Sequence, residues 1–258
     1  HTLLTIITII TMVNLDELRK KYEEVTQQNS GGNKDFLSKF LITKEGTSLV
    51  RILPAKNEDE NFYAETAIHR LENDGQFRNY HCPRVKGNKC PLCDLYYALW
   101  KTDSDDNHNL ARSIKARKRY YLNAVDRETG AVKILSIGMK LFGKILDCFF
   151  DDDYGDITDL KEGYDFKVVK DTNGQFPNYD KSAPKPRPSE AGSAAEVATW
   201  MDELHDIQNL VKVAEYDELK QMAMNYELAA EGMGGSTGGQ AKSDDDYLSH
   251  LKNLDTNQ

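Results

Sequence analysis

Polar and apolar residues alternate differently in successive parts of the chain, and each pattern predicts an element. In Asn14–Gln28 (NLDELRKKYEEVTQQ), Leu15, Leu18 and Tyr22 fall at helical spacing around a basic triplet, Arg19-Lys20-Lys21. Asn29–Asn33 (NSGGN) reads as a flexible linker. From Phe36 to about Val169 the pattern shortens to β segments: Ser48–Leu53, Tyr63–His69, Arg119–Val125, Ala131–Ile137 and Asp165–Lys170. Asp126–Gly130 (DRETG) has the composition of a hairpin turn between two of them. Pro83–Trp100 reads as loop and then helix. Met139–Phe150 is an amphipathic helix with Leu141, Phe142, Ile145, Leu146 and Phe149 on one side. Ala183–Ser193 (APKPRPSEAGS) reads as a linker. Ala194–Ala230 reads as a helical pair, with Trp200, Leu204, Ile207, Leu210, Val211, Leu219 and Met222 spaced to pack. Gly232–Gly239 is a tether, and Ser243–Leu254 a short acidic and apolar tail. Short strands with one or two inserted helices suggest a small barrel of the OB type.

Composition sharpens this. The 258 residues carry 29% charged and 39% hydrophobic side chains, enough for a core in a soluble protein. No run reaches the roughly 18 apolar residues of a membrane span. His1–Thr11 (HTLLTIITIIT) lacks a basic n-region and an A-x-A-like site, so it is not read as a signal peptide. Met12 is read as the native start and residues 1–11 as an upstream extension.

The formal charge of −9 argues against a general polyanion binder until it is divided. Ala195–Gln258 holds 13 acidic and four basic residues and alone accounts for the −9. Residues 112–144 hold nine basic residues against Asp126 and Glu128, a net +7. Within that stretch, Lys115, Arg117, Lys118 and Arg119 run into Tyr120 and Tyr121. Tyr96, Tyr97, Trp100, Phe176 and Tyr179 lie around it in sequence. Lys and Arg neutralise phosphates without reading sequence. Exposed rings stack on unpaired bases, whose faces a duplex hides. The combination favours single strands over duplex. Neighbours on a strand point to opposite faces, so one of Tyr120 and Tyr121 is expected to meet a base and the other to pack. The plainer alternative is a solvated basic face over core tyrosines.

Three of the four cysteines sit within a dozen positions, which points to metal rather than disulfides. His69, Cys82, Cys90 and Cys93 are spaced H-x12-C-x7-C-x2-C. Cys90-Pro91-Leu92-Cys93 has the zinc-knuckle spacing that turns two thiolates onto one ion. Three sulfurs and one nitrogen would leave no open position, so one structural Zn2+ is expected. His81, beside Cys82, is the rival nitrogen donor; His69 is favoured because adjacent residues seldom reach one ion together. A redox CxxC or plain buried thiols is the alternative. Cys148, amid apolar neighbours, reads as a core thiol.

Several of these stretches resemble one family, the single-stranded DNA-binding (helix-destabilising) proteins of T-even-type bacteriophages. They are Leu49–Asn57 (LVRILPAKN), the His69/Cys82/Cys90/Cys93 order with CPLC, Lys115–Asn123 (KARKRYYLN), Gly138–Ile145 (GMKLFGKI) and Phe166–Asp180. The resemblance implies a mainly β fold with added helices. Its parts would be an OB-fold core with an inserted zinc-binding subdomain, a cleft for single-stranded DNA and a C-terminal helical appendage. It implies that Arg51, Lys115, Arg117, Tyr120, Phe176 and Tyr179 contact DNA; the basic run adds Lys118 and Arg119. It further implies cooperative self-association along DNA through a basic N-terminal segment, whose motif Arg19, Lys20 and Lys21 match only loosely. An acidic tail, here Asp244, Asp245, Asp246, Tyr247, Leu248 and Leu251, would contact replication and recombination proteins. The chain departs from the family pattern in a shorter Cys82–Cys90 loop and in Leu135 at an aromatic position.

The expected function is therefore a non-enzymatic protein that coats and protects unpaired DNA in phage replication, recombination and repair, in the host cell cytoplasm. The expected parts are residues 12–33 for self-association, 34–182 for the DNA-binding core with its zinc subdomain at about 63–110, 183–231 for the helical segment, and 232–258 for the tether and tail. Two other classes compete with this reading. A zinc-dependent nucleic-acid enzyme would need an open metal position, and no H-x-E precedes CPLC at deaminase spacing. No Walker A sequence supports ATP-driven unwinding. A zinc-stabilised protein-interaction module would leave Lys115–Tyr121 without a role.

Overall fold

The computed structural model describes residues 35–230 apart from 58, 74 and 175. The predicted N-terminal helix with Arg19, Lys20 and Lys21, and the acidic tail, lie outside the described residues. Residues 35–40 form a separate short unit, a single helical turn in which Phe36 and Phe40 meet at 5.2 Å.

From residue 41 onward the frame is an antiparallel sheet. Its strands are β1 (Gly46–Ile52), β2 (Tyr63–Asn73), β3 (Gln76–His81), β4 (Arg117–Asp126), β5 (Val132–Gly138), β6 (Asp165–Lys170) and β7 (Ala183–Pro184). The order is β3-β2-β4-β1-β6-β7, with β5 on the other edge of β4. β4 organises the sheet. Its first half pairs with β2 (Ile68↔Arg117 to Tyr63↔Leu122), and its last residues pair with β1 (Ile52↔Ala124, Val50↔Asp126). β5 runs along it from Gly138 opposite Arg119 to Val132 opposite Val125. The β4–β5 turn is the predicted one. Gly130 takes φ +73°, and the Asp126 carboxylate accepts from Glu128 N–H and the Thr129 hydroxyl. Among the described residues no ladder returns from β5 to β6 or β7. Helix α3 (Met139–Phe149) packs on β4, β5 and β7 instead.

Three cores follow. In the first, Leu141, Phe142, Ile145 and Cys148 of α3 meet Val50, Ile52, Leu122, Ile137, Phe166 and Val168. Each fully buried aliphatic side chain there contributes about 1.5–3 kcal/mol. The second lies under α1 (Pro91–Trp100), α2 (Asp105–Ile114) and the β2–β3 hairpin. It is completed from far along the chain by Leu219, Met222, Ala223 and Met224 of α5 (Tyr216–Ala230). The third seats Trp200 of α4 (Ala194–Asp202) against Leu53, Val125 and Val132, and the Trp200 indole donates to Gly130 O at 2.9 Å.

The predicted β segments, the hairpin turn and the helix after Gly138 are all present, within a few residues of their expected bounds. Two elements were not predicted. β3 is exposed on both faces from Gln76 to Asn79, so no alternation betrays it. α2 is mostly polar, with Ala111 and Ile114 buried; its sequence signal is Ser104, an N-cap accepting from Asn107 N–H, followed by Asp105 and Asp106. The expected linker Ala183–Ser193 is instead stitched down. Lys185 N–H donates to Asp165 O, Ser189 N–H to Gly163 O, and Ala191 N–H to Leu160 O. The expected helical pair is interrupted over 203–215, where Leu204, Leu210 and Val211 lie in a non-helical crossing.

Candidate metal centre and nucleic-acid interface

β2 carries His69 to the base of its hairpin. Cys82 follows β3, Cys90 caps α1, and Cys93 sits in the first turn of α1, with Pro91 at a position where the missing N–H costs nothing. The four donor atoms lie within 4.8 Å of one another and all four residues are buried. His69 Nε2 is 3.3 Å from Cys90 Sγ and 3.7 Å from Cys93 Sγ, and Cys82 Sγ is 3.5 Å from Cys93 Sγ. A tetrahedral ion with Zn–S of about 2.3 Å and Zn–N of about 2.0 Å needs edges of about 3.5–3.8 Å. The residues therefore fit a closed four-donor site that could hold a metal ion. With Nε2 on the sulfurs, His69 Nδ1 donates to the Ile114 carbonyl at 2.6 Å, the usual outer support of a ligating histidine. Burial opposes charge on His69, but its contacts with Cys82 and Cys90 raise it to about 9. Contacts from Cys90 and Cys93 push the Cys82 thiol far down, while Cys93 is pushed up by Cys82 and Cys90. His81 stands apart from the cluster. Its Nδ1 lies 2.9 Å from the Thr66 hydroxyl, and burial pushes its pKa down. Cys148 is buried and donates to Lys144 O, as a core thiol.

Directly after Ile114 the chain turns into the basic run. Lys115 and Arg117 are exposed, and Lys115 Nζ stands 5.6 Å from the Tyr96 ring centre. Tyr96 stacks on Trp100 at 6.0 Å, and Arg112 covers Trp100 at 5.4 Å. Lys118 pairs with Glu65 at 2.7 Å in an exposed bridge that contributes about 1 kcal/mol at most. Arg119 is steered by Ser136, donating to its carbonyl at 3.0 Å and its hydroxyl at 3.1 Å.

That guanidinium opens onto a groove of about 280 Å³ lined by Ser136, Met139, Lys140, Val168 and Tyr179. A slot of about 210 Å³ shares Lys140 and Tyr179 with the groove; Lys144, on the same face of α3, stands opposite Phe176 and Asp180. Phe176 is 68% exposed. Cations and aromatic rings share the lining, an arrangement that can take a phosphate and a base side by side.

Two expected contacts need correction. Arg51 is fully buried, donating to Asp159 O at 2.6 Å and Ser189 O at 2.9 Å beside Asp165, so its guanidinium is not presented to a phosphate. Tyr120 is 6% exposed and stacked on Phe142 at 3.8 Å. Tyr121 is equally buried, because β4 is covered on both faces from Tyr120 onward. Lys140 and Lys144 belong to the basic stretch read from sequence but not to its expected DNA contacts. Their i, i+4 spacing on the polar side of an amphipathic helix was the available signal. The structure thus brings together Arg119, Phe176 and Tyr179 of the expected set, with Lys115, Arg117 and Lys118 leading up to them.

Among the described residues no helix is long and apolar enough to cross a membrane. The chain is 26% identical over 264 residues to the single-stranded DNA-binding protein of Enterobacteria phage T4, covering 90% of this chain and 86% of that one. It is 25% identical over 228 residues to the single-stranded DNA-binding protein of Enterobacteria phage T2, covering 80% and 74%. The family described as gp32 DNA binding protein like matches residues 44–227, the span that holds the metal cluster, the basic strand and the groove. By that match, which takes in well over half of its length, the chain belongs to the gp32 DNA-binding-protein-like family.

Proposed function

We propose that the chain binds single-stranded DNA without sequence readout and coats it during phage replication, recombination and repair in the host cell cytoplasm. The observation that carries this reading is the pair of adjoining cavities, the groove lined by Arg119, Lys140 and Tyr179 and the slot lined by Lys140, Lys144, Phe176 and Tyr179. The path of the strand continues over Arg117 and Lys115 to the Tyr96–Trp100 stack. One Zn2+ held by His69, Cys82, Cys90 and Cys93 orders the subdomain that carries that stack. Four protein donors leave it no site for a substrate, which favours binding over catalysis. Melting of hairpins then needs no fuel, because the protein prefers the unpaired form. Residues 12–33, with Arg19, Lys20 and Lys21, serve self-association. Asp244–Asp246 with Tyr247, Leu248 and Leu251 serve partner proteins or cover the basic groove when DNA is absent.

Titration of the full chain with poly(dT) at several salt concentrations, followed by tryptophan and tyrosine fluorescence, tests the reading. Quenching that salt reverses is expected, with log affinity falling steeply against log salt. A flat salt dependence, or no quenching, would overturn it.

A further inference from the structure

The short turn between Cys82 and Cys90 carries charge that the groove does not use. Residues 84–89 read Arg-Val-Lys-Gly-Asn-Lys, three cations with no acid among them. The turn is held by its own backbone. Pro83–Lys86 is a single 3-10 turn. Gly87 closes it at φ +78° and donates to Arg84 O at 3.0 Å, and Asn88 N–H donates to Pro83 O at 3.2 Å. Arg84 is engaged within the protein: it pairs with Asp94 and stands over the Tyr97 ring at 5.2 Å. Lys86 and Lys89 are exposed, and among the described residues neither forms an ion pair.

This turn continues a surface that begins at the basic run. Lys115 stands at the Tyr96 ring, and Tyr96 meets Tyr97 edge-on with ring centres 5.1 Å apart. Tyr97 is 53% exposed, so a ring steadied by Arg84 still has a face open to solvent. Such a ring can stack on an unpaired base without being reorganised first. Ammonium groups on the same turn as the steadying guanidinium can neutralise the phosphates on either side of that base. We infer that Tyr97, Lys86 and Lys89 form an outer contact for single-stranded DNA, beyond the Tyr96–Trp100 stack. It takes one further base on Tyr97 and the adjoining phosphates on the two lysines. This contact presupposes the single-stranded DNA reading above and lengthens the strand that one protein holds.

Oligo(dT) of stepwise increasing length, each short enough to hold one protein, tests it on the full chain at several salt concentrations. The double variant Lys86→Gln, Lys89→Gln should match the unaltered protein on the shortest oligonucleotides, which fill the groove alone. On the longest it should bind more weakly, with the slope of log affinity against log salt shallower by about 1.4, the share of two phosphates on a single strand. Its affinity should also stop rising at a shorter length. Tyr97→Ala should weaken the longest oligonucleotides at least about fivefold and leave the salt slope unchanged, because the ring carries no charge. Thermal unfolding midpoints of both variants should stay at that of the unaltered protein, since all three side chains are exposed. A salt slope that the lysine pair leaves unchanged at every length, or a loss as large on the shortest oligonucleotides as on the longest, would overturn the outer contact while leaving groove binding intact. Absence of binding by the unaltered protein at any length would defeat the broader reading and this one with it.

Discussion

Arg51 and Lys140 are both cations in stretches shared with the family, yet their surroundings assign them opposite work. Arg51 sits under the 157–163 loop and the 183–191 strap, donating to the Asp159 and Ser189 carbonyls; Asp159 O also accepts from Gly163 N–H at 3.0 Å. Asp165 beside it is also held by Arg127, at 2.6 Å, and by Lys185, at 3.7 Å. Arg51→Met therefore leaves the carboxylate paired but removes the charged donor that ties the two segments to β1. Denaturant unfolding should show a loss of about 2–4 kcal/mol, with the salt slope of DNA binding in the folded protein unchanged. Lys140→Ala should do the reverse: stability unaltered, affinity reduced, and the slope of log affinity against log salt shallower by about one. Gly163 belongs to the same nest. A Cβ there would stand 2.3 Å from Asp159 O, 2.7 Å from Ile157 O and 2.9 Å from Arg51 Nη2. Gly163→Ala should cost about 2–3 kcal/mol, because two of those three atoms are backbone and cannot swing away. From sequence, Arg51 reads as a basic residue within a strand and, by resemblance, as a DNA contact; nothing local reveals the loop that covers it.

At the level of elements, the C-terminal helices are braces. The chain leaves β7, crosses β4 and the β4–β5 turn through Trp200 and through His205, which exchanges backbone hydrogen bonds with the Asn123 side chain, and ends as α5 on the core around the His69/Cys82/Cys90/Cys93 cluster. Leu219, Met222 and Met224 bury side chains against the core that contains Cys82, Cys90 and Cys93, a contribution on the order of 5 kcal/mol. Truncation after residue 215 should therefore speed extraction of bound metal by a chromogenic chelator at least about tenfold, since folding and metal retention are one equilibrium. Truncation after residue 231 should leave the extraction rate unchanged. The helices were legible as apolar periodicity. Their partner was not, because the contact joins positions more than a hundred residues apart and periodicity carries no information about what a face meets.

For the whole molecule the governing quantity is how charge is distributed. Residues 112–144 are basic by +7 while the stretch after Ala194 holds the entire −9. The groove cations Arg119, Lys140 and Lys144 belong to the first group. Deleting 232–258 removes the Asp244–Asp246 run, within a segment of four acidic and two basic residues, from the chain that carries this groove. Affinity for oligo(dT) should rise at low salt, and the gain should vanish as added salt shortens the screening length to about 3 Å near 1 M. An affinity unchanged at every salt concentration would leave the tail to partner proteins alone.

The sequence by itself determined what depends on short-range spacing. The knuckle of Cys90 and Cys93, the turn at Asp126–Gly130, the strand and helix periods and the segregation of charge are all set by neighbours a few residues apart. Spacing favoured His69 over His81, but the tertiary structure decided between them, because the β2–β3 pairing brings His69 to the thiols while His81 meets Thr66. It also decided that Arg51, Tyr120 and Tyr121 are interior groups and that the lysines of α3 face Phe176. Exposure is a property of what packs over a residue, and the covering elements come from distant parts of the chain.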